Sequence, residues 1–291
     1  MNCSKAHGRW LFLGIAAAGL AMAGPAAADW ALDFPASATE LGNKVRGLHH
    51  MALIICVVMG IIVFGALGYS LVKFRKSQGA QAAKFSHSTK AEIIWTVIPV
   101  LILVGMAIPT ARVLIEMEDT QAADLRIKVT GYQWKWRYEY LDHGISFFSN
   151  IDDASNAASI RGAGLELHEH YLRDVDKPMV VPVGKKVKLQ LTSNDVIHAW
   201  WVPEFYVKRD AVPGTINETW FKAEKPGTYR GQCAELCGRG HGFMPIVVEV
   251  LPQDEFDAWV AGLTAPAEPE PEAEAAISQA STAPAGGASA R

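Results

Sequence analysis

Two long apolar stretches constrain the fold of this 291-residue chain more than any other feature. The first covers residues 48–72 and is followed directly by Lys73, and the second covers residues 93–114. At about 1.5 Å per residue, each can cross a hydrocarbon core about 30 Å thick. Only 20% of the residues are charged, against about 25% in a typical soluble domain. The sequence therefore predicts a transmembrane hairpin over residues 48–115.

The loop between the two spans sets the orientation of the hairpin. It contains no acidic residue before Glu92 and carries five cations, Lys73, Arg75, Lys76, Lys84 and Lys90. By the positive-inside rule this loop is cytoplasmic, so both flanking segments lie outside. Glu92 then stands at the cytoplasmic start of the second helix. Two interpretations are open: a helix-start acid favoured by the helix dipole, or a group that takes up protons at the membrane surface.

The N-terminus has the features of a secretory signal peptide. Lys5 and Arg9 precede an apolar run that ends in Ala26-Ala-Ala28, which predicts a leader over residues 1–28. The alternative is a membrane anchor, although the run is short for one. Residues 29–47 would then form an extracytoplasmic segment. The 27 basic and 30 acidic residues of the whole chain exclude a strongly basic nucleic-acid binder.

After the second span the pattern changes to short segments of period two, which predict an all-β domain over residues 116–262. Turn signals containing Gly or Pro separate the segments. The predicted strands are Leu125–Gly131, Trp134–Tyr140, Met179–Val183, Lys186–Thr192, Asn217–Ala223, Thr228–Gln232 and Ile246–Leu251. Residues 141–177 are predicted to be a long polar excursion. Residues 263–291, rich in Ala, Pro, Glu and Ser, are predicted to be a disordered tail.

Potential metal ligands are concentrated in a segment of twelve residues near the end of the β domain. It contains Cys233, Cys237, His241 and Met244. Thiolate, imidazole and thioether ligands select copper or zinc over hard cations, and a thioether favours an electron-transfer copper site. Two thiols can bridge a pair of metals. His198, predicted to lie on an upstream strand, would supply a second imidazole.

Other interpretations of these residues remain open. A disulfide between the two cysteines is compatible with an extracytoplasmic location, but it leaves His241 and Met244 unexplained. A structural zinc site seldom includes Met. His198 by itself would be a hydrogen-bonded core histidine. The spacing of the segment does not match the Cys-x-x-Cys-His motif of covalent haem attachment.

The ligand segment, the upstream His198 and the helical hairpin together resemble subunit II of haem–copper cytochrome c oxidases, over roughly residues 40–260. The resemblance implies a two-helix transmembrane hairpin followed by an all-β, cupredoxin-like Greek-key barrel or sandwich. It also implies a binuclear copper A centre, in which Cys233 and Cys237 bridge two copper ions.

The same resemblance implies the remaining ligands. His198 and Met244 would complete one copper, and His241 with the backbone carbonyl of Glu235 would complete the other. In this family the Glu side chain at that position helps to hold a magnesium ion at the boundary with the catalytic subunit, so Glu235 is a candidate for both metals.

An aromatic segment also resembles the family, and it implies that electrons enter at Trp134. Trp136 and Tyr138 are interpreted as packing residues of one sheet face. Glu139 and Asp195 correspond to the family's docking acids for cytochrome c. The chain departs from the family pattern at three positions, where Tyr132 replaces a usual His and Lys135 and Arg137 replace neutral residues.

The function implied is that of the electron-accepting subunit of a respiratory oxidase. It would take electrons from ferrocytochrome c and pass them to a haem-bearing subunit I, which reduces oxygen to water with proton pumping. In the family, an acid at the position of Glu92 lies at the mouth of a proton channel. The expected partners are subunit I, other oxidase subunits, cytochrome c and membrane lipid, without nucleic acid. The expected location is the inner membrane of a bacterium, as a multi-pass protein with its copper domain in the periplasm.

Three other functions fit parts of the same sequence pattern. A quinol oxidase subunit II shares the hairpin and the fold but lacks the copper ligands, all of which are present here. A membrane-tethered copper carrier needs exchangeable copper, whereas six enclosing ligands favour retention. The copper A domain of nitrous oxide reductase is attached to a large propeller, which 291 residues cannot contain.

Overall fold

The computed structural model of the chain describes residues 33–161 and 169–264. The predicted signal peptide over residues 1–28 and residues 265–291 of the predicted tail lie outside the described residues. The described part consists of a helical hairpin followed by a β-sandwich.

The hairpin consists of α1 (Glu40–Lys73) and α2 (Thr89–Glu118). Both helices are longer than predicted, because polar turns precede and follow the apolar stretches. The α1 helix begins directly after Thr39, whose hydroxyl accepts a hydrogen bond from the Gly42 N–H at 3.0 Å. Such a cap satisfies one of the free N–H groups at a helix start. Thus the helix begins well before residue 48.

Both helices are long and apolar enough to cross a membrane, and none of the residues in their most apolar windows is buried within the chain. Apolar side chains such as Ile61, Phe64 and Leu103 are exposed along them. Lipid or a neighbouring subunit therefore has to cover these surfaces. With two spans in the described part, the chain is a two-pass membrane protein rather than the multi-pass protein expected.

The β domain is a sandwich of two five-stranded sheets. Its strands are β1 (Leu125–Tyr132), β2 (Lys135–Tyr140), β3 (Ile145–Ser149), β4 (Met179–Pro182), β5 (Val187–Ser193), β6 (His198–Val202), β7 (Val207–Ala211), β8 (Asn217–Phe221), β9 (Gly227–Cys233) and β10 (Pro245–Leu251). One sheet has the order β3-β2-β1-β5-β8 and the other β4-β10-β9-β6-β7. The pairs β1–β5 and β4–β10 are parallel, and the other pairs are antiparallel.

The core lies between the two sheets and is rich in aromatic side chains. Along β2, residues alternate between partly and fully buried, as expected when one sheet face packs against another. The hydroxyl of Tyr140 donates to the Val180 carbonyl at 2.7 Å and accepts from the Val180 N–H at 2.8 Å. The rings of Trp200 and Phe221 stack with their centroids 6.2 Å apart. These contacts join the two sheets into a rigid frame.

The polar excursion predicted over residues 141–177 is partly wrong. It contains β3, which pairs with β2 along the edge of the first sheet, and the helix α3 (Asp153–Arg161). The strand was missed because it is short and only Ile145 and Ser149 are buried. A helix α4 (Gln253–Thr264) also follows β10. The predicted tail therefore cannot begin at residue 263.

Polar contacts join the hairpin to the sandwich. Within the hairpin, Lys44 of α1 forms an ion pair with Glu116 of α2, with 2.6 Å between the charged atoms, and the same residue Glu116 also contacts the sandwich. The indole N–H of Trp220 donates to the Glu116 carbonyl at 3.3 Å. Thr39 donates to the Phe205 carbonyl at 3.2 Å. The sandwich is thus attached at the N-terminal end of α1 and the C-terminal end of α2.

Candidate metal centre

The predicted ligand segment is the loop between β9 and β10. Its two ends are joined by a hydrogen bond from the Cys233 N–H to the Met244 carbonyl, at 3.0 Å. The N–H of Ala234 donates to the Ala199 carbonyl at 3.0 Å, which fixes the loop against β6. Because β6 begins at His198, this contact brings the upstream histidine to the loop.

Four donor atoms lie in a chain across this junction. Nδ1 of His198 is 3.9 Å from Sγ of Cys233. The two sulfurs, both free thiols, are 3.8 Å apart, and Sγ of Cys237 is 3.6 Å from Nδ1 of His241. The donor atoms of His198, Cys233 and Cys237 all lie within 4.8 Å of one another. The loop and β6 thus form a compact group of soft donors.

The other two predicted ligands flank this group. The Glu235 carbonyl lies 3.3 Å from Sγ of Cys233, whereas the Glu235 side chain is exposed. Met244 is 1% exposed and directly precedes β10. All six predicted ligands are therefore at one end of the sandwich, five of them within the twelve residues from Cys233 to Met244.

The two thiols differ in acidity. Burial alone would raise the pKa of Cys233, but the hydrogen bonds with His198, with two backbone groups and with His241 together outweigh it and lower this pKa to about 6. Burial raises the pKa of Cys237 to about 12, assisted by the negative charge of Cys233. Burial opposes the charged form of His198, yet its contacts with Cys233 and Asp195 raise its pKa. Without metal, the pair of sulfurs therefore holds one proton near neutral pH.

Asp195 lies beside the donor group. Its Oδ1 is 2.9 Å from Nε2 of His198, the nitrogen that faces away from Cys233. Its Oδ2 accepts the backbone N–H of Gln133 at 2.7 Å. Burial would raise the pKa of Asp195, but these hydrogen bonds, chiefly the one with His198, lower it. The family resemblance implied only a docking role for Asp195, and its contact with His198 was not predicted.

Trp134, predicted as the site where electrons enter, packs directly on the loop. Its indole N–H donates to the Cys237 carbonyl at 3.3 Å. The amide of Gln133 donates to the same oxygen at 2.8 Å. A Cβ atom on Gly240 would lie 2.3 Å from the Trp134 ring, so glycine is required for this close approach. Gln133 was not predicted as a site residue, and its position next to Trp134 is the only signal for it in the sequence.

The remaining two predicted residues lie apart from this group. Glu139 is on β2 and forms ion pairs with Lys128 at 3.5 Å and Arg137 at 3.3 Å. Glu92 is exposed in the first turn of α2. Its backbone N–H donates to the Ser88 carbonyl at 3.0 Å.

Sequence comparison identifies the family. The family model described as cytochrome c oxidase subunit II, periplasmic domain, matches residues 125–251, and the corresponding transmembrane-domain model matches residues 27–113. A probable cytochrome c oxidase subunit 2 of Rickettsia bellii is 42% identical over 232 residues, which are 80% of this chain and 84% of the relative. This chain belongs to the cytochrome c oxidase subunit II family.

Other members are also similar to the chain. Cytochrome c oxidase subunit 2 of Cereibacter sphaeroides is 38% identical over 237 residues, covering 78% of either chain. The crystal structure of the periplasmic domain of subunit II of the Bradyrhizobium japonicum cytochrome oxidase is 46% identical. It matches with a TM-score of 0.43 and covers 48% of this chain and 94% of that domain.

Membership in the subunit II family places the chain in an oxidoreductase complex of the respiratory chain, with an electron-accepting role and with subunit I as a partner. The predicted fold is confirmed: two apolar helices precede a β-sandwich consistent with a cupredoxin-like domain.

Proposed function

We propose that this chain binds a binuclear copper centre and accepts electrons there from ferrocytochrome c. The observation that carries the proposal is the chain of donor atoms from His198 through Cys233 and Cys237 to His241, with spacings of 3.9, 3.8 and 3.6 Å. Two adjacent thiolates with an imidazole at each end suit a pair of soft metal ions. Met244 and the Glu235 carbonyl are the proposed additional ligands.

The chemistry of the site fits copper. Both cysteines and His198 are at most 3% exposed, so water has little access to the sulfurs. A bound copper pair would supply one-electron redox chemistry with small changes in bond length. The backbone hydrogen bonds of Cys233 and Ala234 hold the sulfur of Cys233 on the rigid sheet, which limits rearrangement of the ligands. Such support orients ligands and tunes a metal site.

Trp134 provides a short connection between the protein surface and the sulfur of Cys237. Its ring is partly exposed, and its N–H contacts the carbonyl of Cys237 itself. One hydrogen bond and the covalent bonds of a single cysteine therefore link the indole to the sulfur of Cys237. We propose that electrons enter the chain here, and that Glu139 contributes to docking of a basic cytochrome c.

Three further roles are proposed from the same assignment. The exposed side chain of Glu235 is available to a magnesium ion at the boundary with subunit I. Glu92 would take up protons from the cytoplasm for that subunit. The basic loop over residues 73–90 would face the cytoplasm of a bacterium, with the copper domain in the periplasm and membrane lipid around α1 and α2.

Copper analysis and electron paramagnetic resonance of the purified oxidase test the proposed function. The wild-type subunit should contain two copper ions and give the seven-line spectrum of a mixed-valence pair. Cys233→Ser and Cys237→Ser should both abolish that spectrum, because serine is a harder ligand and does not replace a bridging thiolate. The control is Cys56→Ser, since Cys56 lies in α1 and away from the loop. Two coppers and the seven-line spectrum in either loop variant would contradict the proposal.

A further inference from the structure

The carboxylate of Asp195 joins two parts of the metal centre that are distant in sequence. One oxygen contacts Nε2 of His198 at 2.9 Å, and the other accepts the Gln133 N–H at 2.7 Å. The first oxygen also accepts the Val196 N–H at 2.7 Å and lies 3.3 Å from the Ser193 hydroxyl. Both oxygens are therefore occupied, and the side chain is only 27% exposed.

Neighbouring residues on several sides restrict the orientation of the His198 imidazole. The ring is fully buried. A Cβ atom on Gly131 would lie 2.7 Å from its Cδ2, so the β1 backbone closes one side of the ring. Trp136 approaches it edge-on, with centroids 6.0 Å apart. With Asp195 at Nε2, only Nδ1 is directed towards Cys233. A histidine ligand is commonly oriented in this way by a carboxylate at its other nitrogen.

The contacts of Asp195 also complete a closed ring of interactions around the metal centre. Asp195 holds the backbone of Gln133, whose side chain donates to the Cys237 carbonyl at 2.8 Å. Cys237 in turn contacts Cys233, and Cys233 contacts His198. The turn that carries Trp134 and the ligand His198 are therefore held by the same carboxylate.

We propose that Asp195 is a positioning residue of the copper centre, which fixes the ring of His198 and the turn that carries Trp134. This inference rests on the proposed function. It differs from the family-derived expectation that Asp195 serves cytochrome c docking, because a docking acid acts only when the partner is present. Glu139 is the natural comparison, since its carboxylate pairs with the cations Lys128 and Arg137 on the same sheet.

The test compares Asp195→Ala and Asp195→Asn with the control Glu139→Gln, each in the assembled oxidase and without cytochrome c. Asp195→Ala should lower the retention of copper against a chelator by about 10–100-fold, the usual effect of losing such a partner. Asp195→Asn keeps one oxygen acceptor for His198 but removes the negative charge and the second acceptor, which the Gln133 N–H uses. It should therefore keep copper and shift the midpoint potential to more positive values, with altered copper hyperfine splitting. Glu139→Gln should leave all three properties unchanged.

A different set of results would contradict the inference. If both Asp195 variants have wild-type copper retention, potential and spectrum, and only react more slowly with cytochrome c at low salt, Asp195 is a docking acid and the inference is wrong. If Asp195→Ala does not assemble, the potential and the spectrum of Asp195→Asn decide. A wild-type oxidase without a seven-line spectrum would instead contradict the proposed function itself.

Discussion

At the scale of single residues, the pKa values of Cys233 and Cys237 are shifted in opposite directions. Hydrogen bonds with His198 and other groups overcome the effect of burial and lower the pKa of Cys233 to about 6, whereas burial and the neighbouring charge raise that of Cys237 to about 12. Because a metal requires both as thiolates, copper binding near pH 7 has to release the Cys237 proton. We predict that the apparent copper affinity of the metal-free subunit rises at least about tenfold per pH unit between pH 7 and 8. Competition with a chelator at each pH measures this slope, and a flat profile would contradict the titration described.

A second residue-scale prediction concerns the packing of Trp134. A Cβ atom on Gly240 would lie 2.3 Å from the Trp134 ring, whereas one on Gly242 would meet nothing within 4 Å. Gly240→Ala should displace the indole and, like Trp134→Ala, slow reduction by ferrocytochrome c by an order of magnitude or more. Both glycines lie on the same loop, so Gly242→Ala is the matched control and should react at the wild-type rate. Stopped-flow kinetics at fixed ionic strength measure the rates. A wild-type rate in Trp134→Ala would reduce this residue to a packing role.

The sequence allowed prediction of which residue types gather at the site, but not of how they are held. Spacing alone brought Cys233, Cys237 and His241 together, because they share one short loop. The contacts of Asp195 with Gln133 join residues 62 positions apart, and those of Gln133 with Cys237 join residues 104 positions apart. Such contacts depend on how the β1–β2 turn meets the β9–β10 loop, and no local pattern encodes them.

At the scale of elements, apolar length and period-two alternation predicted both helices and seven strands. The omitted strands β3 and β7 each bury only two residues, whereas β6, which is largely buried, was predicted only as the strand that carries His198. For α4, the amphipathic segment after β10, Phe256 is buried and the Trp259 ring lies 5.2 Å from that of Tyr140. These aromatic contacts with the sandwich stabilise a short helix that local sequence does not distinguish from the following tail.

The start of α2 allows the two interpretations of Glu92 to be separated. Its place in the first helical turn, after the Ser88 cap, fits stabilisation by the helix dipole, worth about 0.3–1 kcal/mol. If it also takes up protons, Glu92→Ala should slow oxygen consumption by the assembled oxidase several-fold while copper content stays normal. Glu92→Asp retains a titratable group and should be milder. Normal turnover of a fully assembled Glu92→Ala oxidase would leave only the helix-start role.

At the scale of the whole molecule, the protein divides its surface between lipid and water. The helices expose apolar side chains that only a membrane or another subunit can cover. Positions 116–262, which run from the last turn of α2 through the β domain, in contrast carry 22 acidic and 16 basic residues, a net charge of −6. Such an excess of negative charge attracts a basic redox partner at a distance.

The cations beside Trp134 oppose this attraction, and their effect can be measured. Lys135 directly follows Trp134 in sequence, and its ammonium lies 4.4 Å from the centroid of the Phe148 ring, so this contact restricts where its charge can lie. Lys135→Ala should therefore speed reduction by a basic cytochrome c about twofold at low ionic strength, the size expected for one exposed charge pair. Lys222→Ala is the control. It removes the same positive charge next to Ala223, which pairs with Thr39 at the start of α1, and it should have a smaller effect on the rate.

Stopped-flow rates from about 10 mM to 300 mM salt provide the measurement, because added salt shortens the Debye length from about 30 Å to below 10 Å. The two variants should converge on the wild-type rate at high salt. A salt-independent gain in Lys135→Ala would instead indicate that the substitution acts through its contact with Phe148 and not through its charge.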